Sequence, residues 1–229
     1  MKQCHINDKM REILIDWLVD VSVKFRLLSA TLFMAVNLVD RFLQRQEVIR
    51  DRFQLLGITS LFIASKYEEI YPPHMKEYIA VCDRATYSKQ DMLDMEAHVI
   101  VSLEFSLTDS TVLRFLERFG RVAGLESKAF MFARYMTELA LVDGIFLNVP
   151  NSLIAASAVY LSNKVFKREE WSDNLKRDTL MDLPDVRPTA KELYLLVMKA
   201  DGTGLSAVKR KFSSKNYLEI SKYRIEMKC

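Results

Sequence analysis

The stretch that most constrains the fold runs from Gln54 to Tyr67, with the sequence QLLGITSLFIASKY. Wound at a helical period, its apolar residues leave no wide polar stripe, and most of its polar positions hold small residues. A helix that is apolar nearly all round has to be enclosed by other elements. Small side chains let neighbouring backbones come close. The stretch therefore predicts a central helix with other helices packed around it.

A second copy of this stretch follows about a hundred residues later, as SLIAASAVYLSNK from Ser152 to Lys164. Aligned without gaps, Gly57 meets Ala155 and Lys66 meets Lys164. Upstream, the sequence Leu-Val-Asp occurs in both copies, at 38–40 and at 141–143. An internal repeat of this length indicates two copies of one structural unit. The sequence therefore predicts two helical domains of the same kind.

Periodicity, caps and chain breaks predict an all-α chain with two tandem five-helix repeats and a short basic tail. The first five helices are predicted at 9–26, 29–44, from 51 to before the prolines at 72–73, 74–81 and 88–101. The second five are predicted at 109–123, 127–142, 151–166, 169–176 and 187–198, and a short tail helix at 205–212. The predicted domains are residues 1–104, 105–200 and 201–229.

Charge argues against a nucleic-acid surface. The 229 residues carry a net charge of +3, and residues 201–229 hold seven lysines and arginines against three acids, so the body is near neutral. A nucleic-acid footprint needs a broad basic surface. No signal peptide is visible, and no apolar run is long enough to span a bilayer. We therefore expect no direct nucleic-acid contact and no membrane contact.

Neither a disulfide framework nor a metal site is predicted. An odd number of dispersed cysteines fits free thiols in an intracellular protein. The histidines have no metal-ligand spacing, either among themselves or with the cysteines. The residues concerned are Cys4, Cys82, Cys229, His5, His74 and His98. We expect no metal and no cofactor.

The sequence also lacks the motifs of an enzyme. It has no glycine-rich phosphate loop, no nucleophile elbow and no His-Glu-x-x-His. Glu68 and Glu69 are adjacent carboxylates, but neighbours on a helix point about 100° apart and cannot converge on one substrate atom. We interpret them as solvated helix-end charges. A helical scaffold without a catalytic constellation is expected to work by binding.

Several segments resemble the cyclin family. KMREILIDWLV at 9–19 resembles the signature that opens the cyclin box, and VDRFL at 39–43 resembles its next helix. The central helix and following turn, IASKYEE at 63–69 with Tyr71-Pro72-Pro73, continue the resemblance, as do 83–87 and Met95-Glu96. AVKRKFS at 207–213 is similar to the tail of mitotic cyclins, and KFRLL at 24–28 to the B-type group.

The resemblance implies a fold of two five-helix cyclin boxes and a role as a non-catalytic regulatory subunit. Such subunits bind and activate cyclin-dependent protein kinases in the control of the cell cycle, here with mitosis favoured. It further implies a location in the nucleus and cytoplasm. Residues before the first box normally form a helix that grips the kinase, and the sequence begins with only the end of it.

The resemblance also assigns binding residues. At the positions matching Lys66 and Glu96, the family contacts the mobile helix of the kinase, and Phe105 and Leu107 match apolar positions that pack nearby. Taken alone, Lys66 fits a cation favoured at a helix C-terminus, and Glu96 an ordinary exposed charge.

A second implied surface is the family's docking patch for Arg-x-Leu motifs in substrates or inhibitors. Here it consists of Met10, Ile13, Leu14, Trp17, Asp20 and Gln54. Substrate-recruiting members carry glutamate at the position of Asp20, so docking is expected to be weaker or differently selective. An alternative is that the apolar members only complete the core.

Two other functions stay open from sequence alone. A cyclin-fold scaffold would bind partners without activating a kinase. A transcription-factor-B-like protein would use paired cyclin folds to hold DNA. Such a protein is expected to have a broad basic surface and usually a zinc ribbon, whereas the body of this sequence is near neutral and has no ribbon. Residues 177–188 and Ala30 also depart from the pattern of mitotic cyclins.

Overall fold

The computed structural model describes residues 3–82, 87–200, 202 and 204–223. Across these residues the chain forms α-helices and short 3₁₀ helices, and no strand. By its contacts the chain divides into two compact units, Met1–Asp109 and Ser110–Cys229. The prediction of an all-α fold built from two tandem helical repeats is confirmed.

Among its described residues, the first unit contains five α-helices. They are α1 (Asp8–Lys24), α2 (Ser29–Arg45), α3 (Arg50–Glu68), α4 (Met75–Ala80) and α5 (Lys89–Ser102). The central helix α3 is buried without interruption from Leu55 to Ser65, as its sequence predicts. It packs against α1, α2, α4 and α5. The unit is therefore arranged around a helix that has almost no solvent-facing side.

Helix α1 packs closely on α3 because Gly57 has no side chain. A Cβ at Gly57 would lie 2.7 Å from Cδ1 of Leu14, too close for an undisturbed contact. Asn7 caps α1 by accepting a hydrogen bond from the Met10 amide at 2.9 Å. On the other side of α1, Ile15 and Val19 are fully buried. Both apolar sides of α1 therefore contribute to the core of the unit.

The interpretation of Glu69 as a solvated charge is wrong. Its carboxylate accepts hydrogen bonds from the Leu28 amide at 2.7 Å and from the Thr31 hydroxyl at 2.5 Å. Both donors belong to the start of α2, where no side chain of the N-cap residue satisfies the free amides. A carboxylate is favoured at a helix N-terminus. Glu69 thus joins the end of α3 to the start of α2.

The second unit repeats the plan around α8. Its helices are α6 (Val112–Val122), α7 (Ser127–Val142), α8 (Asn151–Val165), α9 (Asp173–Thr179), α10 (Leu183–Lys199) and α11 (Ala207–Phe212). Short 3₁₀ helices lie at Gly144–Asn148, Lys215–Tyr217 and Ile220–Lys222. Helix α8 is buried from Ile154 to Asn163 and packs against α6, α7 and α10.

Three helices of the second unit start three or four residues away from their predicted positions. Helix α6 begins three residues late, at Val112, and α9 begins at Asp173, where the Ser172 hydroxyl accepts from the Leu175 amide at 3.3 Å. Helix α10 begins four residues early, at Leu183, because Asp182 and Asp185 form a capping box. Proline is tolerated in the first turn, so Pro184 does not delay the start. Pro188 lies inside the helix.

The basic tail packs on the second unit. Ala207, Val208 and Phe212 of α11 are buried, and the Phe212 ring lies 5.3 Å from that of Tyr135 on α7. Further on, Tyr223 stacks on Phe166 at 5.1 Å. The second unit begins after Asp109. The connector 105–109 therefore belongs to the first unit.

Candidate functional site

The last turn of α3 and the middle of α5 bring two of the predicted binding residues into contact. Lys66, in the last turn of α3, forms an ion pair with Glu96 of α5. The lysine side chain keeps 43% of its accessible surface and the glutamate 12%. The Lys66 ammonium also lies 4.4 Å from the centre of the Phe62 ring, within the range of a cation–π contact. The pair is therefore fixed in place and still open to a partner on the lysine side.

The register of both helices sets this contact. The buried run of α3 stops at Ser65, which places Lys66 as the first exposed residue of the last turn. Helix α5 starts from a capping box between Ser88 and Asp91, which fixes the side of the helix on which Glu96 stands. The contact therefore depends on two rigid helices and on no loop.

Phe105 lies in an unusual turn just after α5. Glu104 and Phe105 both have left-handed backbone conformations, with φ of 55° and 59°, which non-glycine residues rarely adopt. The side chain of Arg41 donates to the Ser106 carbonyl at 2.8 Å, and that of Arg45 to the Ser102 carbonyl at 2.6 Å. Two arginines of α2 thus hold a strained turn.

The outcome of this turn is an exposed aromatic ring. Phe105 is 74% exposed, whereas Leu107, the other predicted apolar contact, is half-buried. Backbone strain held by surrounding contacts clusters at functional positions. An exposed large ring on a rigid support is also typical of a binding anchor. The Phe105 ring therefore has the geometry of an interface residue.

Other exposed apolar side chains lie at the C-terminal ends of α3 and α5. Tyr67 follows Lys66 directly, and Ile70 and Tyr71 are 87% and 92% exposed just after α3. Val101, in the last turn of α5, is 62% exposed. These residues were not among the predicted site residues. The sequence signal for an exposed Tyr71 was the pair Pro72 and Pro73. These prolines end the helix, so Tyr71 has no following helical turn on which to pack.

The predicted docking patch is split between surface and core. Leu14 is buried against Gly57, while Met10, Trp17 and Gln54 are half-buried. Ile13 is 52% exposed, and Asp20 is exposed three residues beyond Trp17. The alternative of a purely structural role therefore applies to Leu14 alone. The others form a shallow, mainly apolar surface on α1 and α3 with a carboxylate at one end.

Helix α1 is held by a buried ion pair that the sequence analysis did not identify. The Arg11 guanidinium donates two hydrogen bonds to the Asp40 carboxylate of α2, at 2.6 and 2.7 Å. The Arg11 side chain keeps 3% of its surface and that of Asp40 keeps 18%. Paired geometry of this kind gives both strength and orientation. It fixes α1, and with it the docking patch, relative to α2.

Within the residues that the structure describes, nothing forms a metal site, since no three histidine, cysteine or acidic side chains gather to hold an ion. In the same part of the chain, no helix has the length and apolarity needed to cross a membrane. Neither Cys4 nor Cys82 forms a disulfide bond, and Cys229 lies outside the described residues. Of the resembling segment 83–87, only Tyr87 is described, and its hydroxyl donates to the Asp51 carbonyl at 2.8 Å.

Comparison with known proteins was made for both units. The family model "Cyclin, N-terminal domain" matches residues 1–108, and "Cyclin, C-terminal domain" matches residues 110–226. Similar proteins include the G2/mitotic-specific cyclin-B of Patella vulgata, 37% identical over 216 residues and 94% of this chain. The cyclin-B of Spisula solidissima is 38% identical over 217 residues and 95% of this chain.

The same comparison gives a G2/mitotic-specific cyclin-A from Patella vulgata, 34% identical over 221 residues and 96% of this chain. The alignments cover 53%, 50% and 52% of these three proteins, in the order given. The chain thus spans about half the length of the curated relatives it matches.

Two solved structures share the fold. A viral cyclin from Herpesvirus saimiri superposes with a TM-score of 0.76 at 16% identity, covering 86% of this chain and 88% of that one. A chain of the yeast RNA Pol II CTD kinase CTDK-1 complex superposes with a TM-score of 0.69 at 14% identity, covering 91% and 76%. At these identities the likeness concerns the fold.

Proposed function

Since this chain belongs to the cyclin family, we propose that it is a non-catalytic regulatory subunit that binds and activates a cyclin-dependent protein kinase. The proposed process is cell-cycle control, with mitosis as the stage, because the similar proteins include mitotic cyclins B and A. The proposed location is the nucleus and cytoplasm. The proposal includes no direct contact with nucleic acid or membrane.

The observation that carries the proposal is the Lys66–Glu96 pair, in the same unit as the exposed Phe105 ring that follows α5. Lysine offers several donors and glutamate several acceptors, so the pair can bind the unsatisfied backbone groups at a helix end. Exposed apolar side chains of the same unit would be buried on binding. Burial of apolar surface gives an interface most of its affinity. The combination fits a protein helix better than a small molecule.

The proposed mechanism is a shift in the kinase's own equilibrium. Phosphoryl transfer requires a lysine–glutamate ion pair in the kinase, and the position of its mobile helix controls that pair. A partner that binds only the assembled state increases the population of that state. Moving the balance from about 1:99 to 99:1 takes roughly 5.5 kcal/mol of differential affinity. A preformed, rigid cyclin surface provides this without ordering costs of its own.

The second part of the proposal is substrate recruitment. The exposed and half-buried members of the docking patch would bind the leucine of an Arg-x-Leu motif, and the Asp20 carboxylate would bind its arginine. Aspartate reaches less far than glutamate, so we expect moderate affinity and an altered preference among motifs. The support is the geometry of α1, which is fixed by Arg11 and by the close packing at Gly57.

Kinase assays with a cyclin-dependent kinase of the same organism test the first part. The double variant Lys66→Ala, Glu96→Ala should lower activation at least roughly tenfold, which corresponds to about 1.4 kcal/mol of lost differential affinity. The matched control removes another exposed ion pair, Lys222–Glu219 at 2.5 Å in the second unit, and should activate normally. Full activation by the first variant would refute the assignment. Binding by the wild type without activation would instead indicate a scaffold.

A peptide-binding assay tests the second part. The variant Met10→Ala, Trp17→Ala should weaken binding of an Arg-x-Leu peptide and leave kinase activation intact. Circular dichroism should show unchanged helicity. If peptide binding and activation are both lost with the helicity, the variant has unfolded and Ile13→Ala, which changes an exposed side chain, replaces it.

A further inference from the structure

The first unit contains a pocket that neither of the proposed binding surfaces uses. It lies between α5 and the loop that joins α2 to α3, and its volume is about 330 Å³. Phe42 and Val48 form an apolar floor, and both are almost completely buried. Ile49, which is 55% exposed, lies at the edge. The pocket is thus a depression with an apolar floor and a largely polar rim.

An aromatic contact shapes one wall. The imidazole of His98 packs edge-on against the Phe42 ring, with ring centres 5.0 Å apart and planes at 85°. Met95, one helical turn earlier on α5, completes this wall. Aromatic and thioether surfaces of this kind can pack against an alkyl chain or a cation.

The charges of the lining are unbalanced. Three carboxylates and one guanidinium line the pocket, a net charge of −2 with histidine counted neutral. Arg52 forms an ion pair with Asp91, in which the Arg52 Nη1 atom lies 2.7 Å from the Asp91 carboxylate. Bonds from Ser88 and Arg52 lower the pKa of Asp91 to about 2, so this partner of Arg52 stays ionised. The carboxylates of Glu47 and Asp94 remain available for a ligand.

The weak local contacts of these two acids support that availability. Asp94 accepts a bond from the side-chain amide of Gln90, a neutral neighbour one turn earlier, at 2.8 Å. Glu47 lies 3.9 Å from the imidazole of His5 and is hydrogen-bonded to the Cys4 thiol, which is a weak donor. The chain as a whole is positive, at +3, so the negative lining is a local feature.

Helix geometry separates the pocket from both surfaces described above. Asp94 and Glu96 are two residues apart on α5 and therefore point about 200° apart around the helix. The same relation holds on α3 between Arg52 of the pocket and Gln54 of the docking patch. A ligand in this pocket would therefore leave the Lys66–Glu96 pair and the docking patch accessible.

We propose that this pocket binds a short peptide segment of a partner protein that presents one lysine or arginine next to an apolar side chain. The volume is at the low end for ligand pockets and suits one or two side chains. The basic group pairs with Glu47 and Asp94 at the rim, and the apolar group packs on Phe42 and Val48. Complementary charge sets specificity, and burial on the floor adds affinity.

The test uses the whole chain and a phage-displayed library of random heptapeptides. Selected peptides that also bind the Met10→Ala, Trp17→Ala variant are synthesised, since those that fail belong to the docking patch. Their affinity is then measured by fluorescence polarisation for the wild type and for Glu47→Gln, Asp94→Asn. The matched control is Glu192→Gln, which neutralises an exposed acid of α10 outside the pocket.

We expect the peptides to share a basic residue beside an apolar one. Their affinity should fall about fivefold in the pocket variant, as two partly exposed charge pairs predict, and stay unchanged in the control. Higher salt should weaken binding to the wild type. Failure to select such peptides, selection of peptides without a basic residue, or equal affinity for the pocket variant would each overturn the proposal.

Discussion

In each unit, a buried ion pair anchors the helix that precedes the central helix. The cation of the pair comes from earlier in the chain in the first unit and from later in the chain in the second. In the first unit, Arg11 of α1 pairs with Asp40 of α2, 29 residues later. In the second, Lys211 of α11 pairs with Glu138 of α7, 73 residues earlier, at 2.6 Å. The repeat thus preserves the arrangement of helices, while the source of the cation differs.

The pairs also differ in their contact with water. The Asp40 side chain keeps 18% of its surface, whereas Glu138 is fully buried and has Arg134 as a second cation at 3.7 Å. A buried charge that loses its partner is costly, and the cost grows as water is excluded. The tail helix α11 is therefore an integral part of the second unit, as α1 is of the first.

Each unit has its own fluorescent reporter, which makes the comparison measurable. The chain has two tryptophans, Trp17 in the first unit and Trp171 in the second. In a Trp171→Phe background, urea unfolding followed by fluorescence reports on the first unit. In a Trp17→Phe background it reports on the second. The predictions below use these two backgrounds.

The largest effect is expected for Lys211→Met. The change removes the cation that lies 2.6 Å from the buried Glu138 carboxylate, so the second unit should lose about 3 to 5 kcal/mol of its free energy of unfolding. The measurement is the urea midpoint in the Trp17→Phe background. The double variant Lys211→Met, Glu138→Leu should recover most of the loss, because no buried carboxylate remains. A loss below about 1 kcal/mol in the single variant would contradict the proposed anchoring.

Arg11→Met should have a smaller effect, about 2 to 3 kcal/mol on the first unit. Asp40 is partly exposed and can bind water when its partner is lost. The Trp171→Phe background measures this loss. A larger loss for Arg11→Met than for Lys211→Met would reverse the comparison between the two pairs.

Exchanging the aligned small residues of the central helices should give a still smaller effect. Ala155→Gly should cost about 1 to 2 kcal/mol, through helix propensity and one buried methyl group. Gly57→Ala gains about 1 kcal/mol of propensity but must displace Leu14, so its net effect should lie within about 1 kcal/mol. Urea unfolding measures both. A loss above 2 kcal/mol for Gly57→Ala would show that Leu14 cannot move.

The smallest effect concerns two exposed arginine–aspartate pairs. Bonds from Ser88 and Arg52 lower the pKa of Asp91 to about 2 in the first unit, and Arg118 lowers the pKa of Asp178 in the second. A lowered pKa stabilises the fold above the ordinary value of 3.8, and this contribution is lost as the pH falls toward the folded value. NMR titration should give the lower pKa for Asp91. Arg52→Ala should raise it, and an unchanged pKa would refute the pairing.

Local patterns predicted much of the architecture. The unbroken apolar run of α3 and its copy in α8 indicated two enclosed central helices, and the structure confirms both. Helix starts were less accurate where capping decided them. At α10, the predicted start was Arg187, but the capping box of Asp182 and Asp185 starts the helix at Leu183. Capping depends on side-chain geometry that residue types alone leave open.

Contacts between distant residues could not be derived from local patterns. Glu69 satisfies the start of α2 across 41 residues, and Glu138 meets Lys211 across 73. Neither partner is specified by helical periodicity. The exposure of Phe105 likewise depends on two left-handed residues and two arginines of α2. The resemblance named Lys66, Glu96, Phe105 and Leu107 as binding residues, and their role stays a prediction.

The distance between Glu138 and Lys211 also matters while the protein is being made. A ribosome adds about 5 to 20 residues each second, so roughly 4 to 15 seconds separate the synthesis of the acid from that of its cation. The first unit has its own pair within 29 residues and can complete its fold as soon as it emerges. The second unit must wait for α11. During that interval, α7 and α8 expose apolar surface, and chaperones have their opportunity to bind.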